Sequence, residues 1–242
     1  MKPNLPLALR RVIPSMVTMG ALGAGMNALR LDIAGELERA LSFLLLAMVL
    51  DALDGKLARL LNAVSDFGAE LDTLSDFFNF GVVPGILIYH NLYADTDYAS
   101  IGWIASLIVV VCCALRLARF NVARKTGESD DFFVGIPAPA LACLALMPIF
   151  MQLSALGTPT HPFVRTVYIV GVGLLAISTI PTISIKYVNL RSSLLIPLTV
   201  VGIVGIYGLI TNPWPTLVVA NCLYLATLPF FYLKQSRQSK PA

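Results

Sequence analysis

Charge is what this chain has least of: Asp, Glu, Lys and Arg make up 13% of its 242 residues, against about a quarter in a soluble domain. That shortfall excludes an ordinary water-soluble globule. Basic residues are not gathered into one patch, and a net charge of +3 dispersed among apolar segments gives no footprint for nucleic acid. Cysteine is also sparse, and Cys112, Cys113, Cys143 and Cys222 all fall in apolar stretches. They read as small buried hydrophobes more than as a disulfide framework or a thiolate metal site. No processing site follows the basic N-terminus, where MVTMGALGAGMNAL runs on, so this segment is expected to stay in the mature protein. The only histidines, His90 and His161, fall on the face opposite the acidic one by the charge count below, and neither is assigned to catalysis.

What the chain has instead is hydrophobic length. Apolar residues make up 57% and mean hydropathy is +0.79, in runs near the roughly 20 residues a membrane helix needs. The expected fold is all-α: a polytopic integral membrane helical bundle of about eight transmembrane helices, near 13–29, 38–60, 67–91, 101–122, 134–154, 165–182, 193–210 and 214–233. Eight crossings put both termini on one side. All but three of the 17 basic residues (Arg30, Arg39 and Arg165) then fall on that side, as Lys2, Arg10, Arg11, Lys56, Arg59, Arg116, Arg119, Arg124, Lys125, Lys186, Arg191, Lys234, Arg237 and Lys240. By the positive-inside rule both termini are expected in the cytoplasm, with the acidic face cytoplasmic. The NLYADTDY loop is expected on the far side. The whole chain, 1–242, is read as one membrane-embedded domain with its chemistry on a helical hairpin over 38–91.

Within that hairpin the scarce acids concentrate. Asp51 and Asp54 lie three apart on one face of the second helix, and Asp72 and Asp76 four apart on the third, with Gly68 one turn before Asp72 on the same face. Carboxylates are costly near a bilayer unless neutralised. Two facing helices bearing four of them would form a cage for two hard cations bridged by a substrate phosphate. Gly55 and Ala58 leave space beside the acids, and Arg59 is placed to balance an acid or contact a phosphate. Glu70 lies off the main carboxylate face. A charged hairpin tip in the headgroup region, with Lys56 and Arg59 paired to acids, is the plainer alternative. An ion-coupled transporter is another, but it would place acids near the midplane and an inverted repeat in the sequence.

Written out, the residues are Asp51-x-x-Asp54-Gly55-x-x-Ala58-Arg59, eight residues, then Gly68-x-x-x-Asp72-x-x-x-Asp76. This resembles the full signature of the CDP-alcohol phosphotransferase family. The continuation SDFGAELDTLSDFFNFGVVPG, with ALRLARFN (114–121) and FFVGIPAPA (132–140), is similar to its bacterial phosphatidylserine synthase branch. The chain departs from that branch at Ser15, Ala21 and Thr73.

The resemblance implies transfer of the phosphatidyl group from CDP-diacylglycerol to the hydroxyl of L-serine, giving phosphatidylserine and CMP. Glycerol 3-phosphate, inositol and choline are the alternative acceptors. It implies that Asp51, Asp54, Asp72 and Asp76 hold two Mg²⁺ or Mn²⁺ ions, with Asp76 also the general base. Gly55, Ala58, Arg59 and Gly68 are implied at the nucleotide, and Arg116 and Arg119, three apart at the end of the fourth span, are expected to clasp the serine carboxylate or a lipid phosphate. A homodimer with one site per subunit is implied too.

Overall fold

The computed structural model describes residues 7–126, 135–154, 157, 161–178 and 192–238, and within its helices the side chains of 7–11, 124–126, 192–198 and 230–238 are left aside. The basic groups at Lys2, Lys186, Arg191 and Lys240, and the segment 132–134 of FFVGIPAPA, lie outside the described residues, as do the side chains of Arg10, Arg11, Arg124, Lys125, Lys234 and Arg237. The described residues are helical throughout their regular elements. They divide into two compact units, Met1–Leu117 and Ala118–Ala242.

In the first unit α1 (Leu7–Ile33) packs along α2 (Leu37–Leu60) and touches α3 (Asp66–Phe77) and α4 (Val83–Leu92). Small residues line α1 where neighbours press on it; Ala21 and Ala28 are fully buried. The chain reverses after α1 because Gly35 adopts φ +78°. Glu36 N–H then bonds Leu31 O, and Gly35 N–H bonds Asp32 O, both at 2.9 Å, which closes a Schellman turn. The same device ends α2. Asn62, at φ +50°, sits in the left-handed position that asparagine tolerates better than most residues, while Ala63 N–H reaches Ala58 O at 2.9 Å. Ser65 then caps α3, its Oγ accepting from Gly68 N–H at 3.1 Å. These two local signals set the hairpin that carries the acids. Ser65→Ala is expected to cost about 1 kcal/mol, read as a lower unfolding midpoint in detergent.

Helices α3 and α4 are one continuous rod through a π-helical stretch, Phe78–Val82. Pro84 lacks the N–H that would bond Phe80 O, and the register shifts so that Val83 N–H bonds Phe78 O instead. At the end of the rod Asp32 of α1, 2% exposed, is held by His90 Nδ1 at 2.8 Å and Asn91 Nδ2 at 2.7 Å. This gives His90 a structural partner away from the acid cluster. Helix α5 (Ala99–Thr126) lies against α4 where Gly85 faces Val110 and Ser106.

In the second unit the expected span over 134–154 is broken into α6 (Ala138–Ala145) and α7 (Met147–Leu153). Pro148 cannot bond Leu144 O, and Tyr168 Oη of α8 (Pro162–Ile177) donates to it at 2.9 Å. Asn221 Nδ2 of α10 (Pro213–Gln238) donates to Cys143 O at 2.8 Å. Side chains thus satisfy the carbonyls that the break leaves open. Helix α9 (Ser192–Thr211) precedes α10.

The expectation of eight crossings is corrected here. Among the described residues three helices are long and apolar enough to cross a membrane: Val12–Ile33, Asp66–Leu92 and Ala99–Ala123. Helix α2 is long enough but too charged; even its least charged 18-residue stretches, such as 40–57, keep Asp51, Asp54 and Lys56. The 134–154 segment is cut at Leu146, and Pro162–Ile177 is too short. The assignment of both termini to the cytoplasm rested on eight crossings and falls with that count. Three crossing-length helices still make this a multi-pass membrane protein.

Candidate active site

The hairpin brings Asp51 of α2 together with Asp72 and Asp76 of α3, one carboxylate oxygen from each lying within 4.8 Å of the others. All three are half-buried. Asp51 and Asp76 come within hydrogen-bonding reach of each other, and Oδ1 of Asp51 is buried without any partner. Two carboxylates in contact and an orphaned buried oxygen are unfavourable unless one carboxyl takes up a proton or a cation lies among them. The donor set is all oxygen, which fits a hard divalent ion such as Mg²⁺ or Mn²⁺.

Asp54 does not join the three. It is 3% exposed, and its Oδ2 accepts a 2.6 Å hydrogen bond from Thr18 Oγ1 of α1. The pattern on α2 places Asp54 on the same face as Asp51, and its charge acts on Asp51. Both acids lie outside the three crossing helices, and burial is the main force raising each carboxyl above its ordinary value. For Asp51 the charge of Asp54 adds to that rise, while contact with Asp76 opposes it. For Asp54 the bonds from Thr18 and the Gly55 backbone oppose it.

The remaining expected residues separate into two groups. Gly55 is exposed, and a Cβ built there would meet nothing within 4 Å. Arg59 is exposed, with Nε donating to Gly55 O at 3.0 Å, and Ala58 between them is half-buried. These three form an open floor beside the acids on α2. Gly68 serves the cap of α3, and a Cβ on it would come within 3.1 Å of Ser65 Oγ and 4.0 Å of Ser15 Oγ. Glu70 is exposed on α3. Arg116 of α5 is half-buried and its charge acts on Asp76; Arg119, three residues on, is exposed and belongs to the second unit.

Three polar residues that the acid pattern did not single out stand behind the cluster. Ser75 and Asn79 are fully buried and Thr18 is 3% exposed. Asn79 Nδ2 donates to Ser75 Oγ at 3.2 Å, and Ser75 Oγ to Thr18 O at 3.5 Å. The available signal was their spacing: Ser75 and Asn79 are four apart and flank Asp76 in an apolar helix, and Thr18 is one turn past Pro14.

A hairpin that gathers acids into an oxygen-only cage, beside small residues and within a membrane protein, is the arrangement a metal-dependent phosphoryl-transfer enzyme requires. Comparison with known proteins fixes which. The chain belongs to the CDP-alcohol phosphatidyltransferase family, whose profile matches residues 11–180. Among its relatives is a CDP-diacylglycerol–serine O-phosphatidyltransferase of Mycobacterium leprae, 31% identical over 226 residues that cover 91% of this chain and 74% of that one. The enzyme of the same name from Mycobacterium tuberculosis is 30% identical, covering 91% and 78%. That of the archaeon Methanocaldococcus jannaschii is 34% identical over 187 residues, covering 70% and 85%.

Proposed function

We propose that the protein transfers the phosphatidyl group of CDP-diacylglycerol to the hydroxyl of L-serine, releasing phosphatidylserine and CMP. The observation that carries this reading is the convergence of Asp51, Asp72 and Asp76 within 4.8 Å, in a chain whose relatives bear the name of that activity. Asp51, Asp72 and Asp76, with Asp54 beside them, would hold two Mg²⁺ or Mn²⁺ ions, which when bound offset charge on the pyrophosphate. Asp76 takes the proton of the serine hydroxyl as its oxygen bonds to the diacylglycerol-linked phosphorus. The bond from that phosphorus to the CMP oxygen breaks, and CMP leaves. Gly55 and Ala58 leave room for the nucleotide, Arg59 steadies its phosphate, and Gly68 is assigned to the same substrate site. Arg116 and Arg119 are assigned to the serine carboxylate or the lipid phosphate, and the charge of Arg116 on Asp76 supports placing it nearer the reacting groups.

The family match runs through both compact units, which supports treating 1–242 as one catalytic domain built on the 38–91 hairpin. Lys56, Arg59 and Arg116 lie near the acids, and because membrane proteins as a class concentrate Lys and Arg on their cytoplasmic side, this supports a bacterial inner-membrane site facing that side. A homodimer is proposed on the family resemblance alone.

The direct test offers CDP-diacylglycerol and labelled serine, glycerol 3-phosphate, inositol or choline to the purified protein, with Mg²⁺, Mn²⁺ or chelator. Metal-dependent label transfer from serine alone supports the full reading. Transfer from a different alcohol keeps the chemistry and replaces the acceptor, and no transfer to any of them by folded protein refutes it.

Gly55→Ala tests the floor. With open space at its Cβ, alanine should stabilise the helix by up to about 1 kcal/mol. The same methyl should weaken nucleotide binding on the order of tenfold, about 1.4 kcal/mol, read as a raised KM for CDP-diacylglycerol. An unchanged KM would remove Gly55 from the nucleotide site.

A further inference from the structure

Asp54 belongs to the acid pattern and lies on the Asp51 face of α2, beside the three-carboxylate group, and one oxygen of its carboxylate is bonded by a residue from another helix. Thr18 Oγ1 has one proton and two acceptors in range, Asp54 Oδ2 at 2.6 Å and Pro14 O at 3.1 Å. The shorter contact is to the carboxylate, and a charge-assisted bond is the stronger of the two. Both partners are 3% exposed, so water does not compete for the bond. Thr18 is itself anchored to the helix bearing Asp72 and Asp76, because its carbonyl accepts from Ser75 Oγ, which accepts from Asn79 Nδ2. One buried hydrogen-bonded chain therefore runs from α3 through α1 to the acid of α2.

We infer that Thr18 is a positioning residue: its hydroxyl orients the Asp54 carboxylate so that it serves as the fourth acid of the cation site. The inference rests on the proposed metal-dependent reading. A carboxylate at the end of a flexible side chain has several rotamers, and fixing one ahead of time lowers the cost of bringing it to an ion. Hydrogen bonds of this kind, made to ligands from behind, typically govern metal affinity by about 10–100-fold.

The test measures Mn²⁺ binding by the full-length protein in detergent micelles, from the electron paramagnetic resonance of the free ion, without substrate. Thr18→Val keeps the shape and removes the donor, and is expected to weaken Mn²⁺ binding about 10–100-fold. Thr18→Ser keeps the hydroxyl and should bind like wild type. In an Asp54→Asn background Thr18→Val should have no further effect on Mn²⁺ binding, since the hydroxyl acts on the ion only through that carboxylate. Thr18→Ala carries the same expectation as valine and covers a packing failure of the β-branched variant. Wild-type affinity in folded Thr18→Val, or loss of affinity in Thr18→Ser, would overturn the role of Thr18. Wild-type protein that binds Mn²⁺ no better than an Asp51→Ala, Asp76→Ala double variant would instead sink the metal reading on which the inference rests.

Discussion

Asp76→Asn is expected to lower the turnover of phosphatidyl transfer by about 10²–10⁴-fold, the range spanned by loss of a general base. Asparagine is nearly isosteric with aspartate, so the position beside Ser75 and two residues before the π-helical stretch stays filled. What disappears is a proton acceptor and one of the three oxygens that converge within 4.8 Å. The two losses separate experimentally. A base lowers kcat at saturating Mn²⁺ and leaves substrate affinity near its wild-type value, because the interaction is made only as the serine hydroxyl gives up its proton. A ligand raises the Mn²⁺ concentration needed for half-maximal rate, and excess metal restores part of the activity. Asp72→Asn, on the same helix but with no proposed role as base, should show the second behaviour. If Asp76→Asn is rescued by Mn²⁺ as fully as Asp72→Asn, Asp76 holds metal and another group takes the proton.

The acid cluster was legible because its determinants are local. Spacings of three and four residues fix which side chains share a helix face, while Asn62 and Ser65 write the turn that brings those faces round. Asp54 shows where local reasoning stops. Its spacing from Asp51 is right, but its hydrogen-bond partner lies 36 residues earlier on α1, and nothing in the periodicity of α2 reports which helix packs behind it. The number of crossings was misread for a related reason. Hydropathy counts apolar residues and passes over the three charges that disqualify α2 and the proline that divides 134–154. Pro84 left the 67–91 span looking like an uninterrupted helix. The shift to π geometry at Phe78–Val82 is a backbone answer to a missing N–H, with no hydrophobic signal of its own. Arg116 and Arg119 looked equivalent at three-residue spacing, yet one is half-buried with its charge on Asp76 and the other is exposed.

Gly25→Val is expected to cost on the order of 3 kcal/mol of stability, the upper end of ordinary overpacking, with activity lost alongside. A Cβ at Gly25 would lie 2.1 Å from Asn79 Oδ1 and 3.2 Å from Phe78 Cε1, so the glycine is the space into which the Asn79 amide fits. Asn79 is fully buried and already uses Nδ2 on Ser75. Turning it away would break that bond and strand a polar group without water. Gly23 lies on the same helix, and a Cβ there meets nothing within 4 Å, so Gly23→Ala isolates the effect of helix propensity and should not destabilise. Unfolding midpoints in detergent for the two variants give the comparison. Adding Asn79→Ala to Gly25→Val makes room for the valine, and the pair should be less damaging than the sum of the two changes, by about 0.5–3 kcal/mol for residues in contact. Strict additivity would mean that α1 and the π-helical stretch do not meet through this pair, and the route by which Asn79 and Ser75 support Thr18 would lose its anchor.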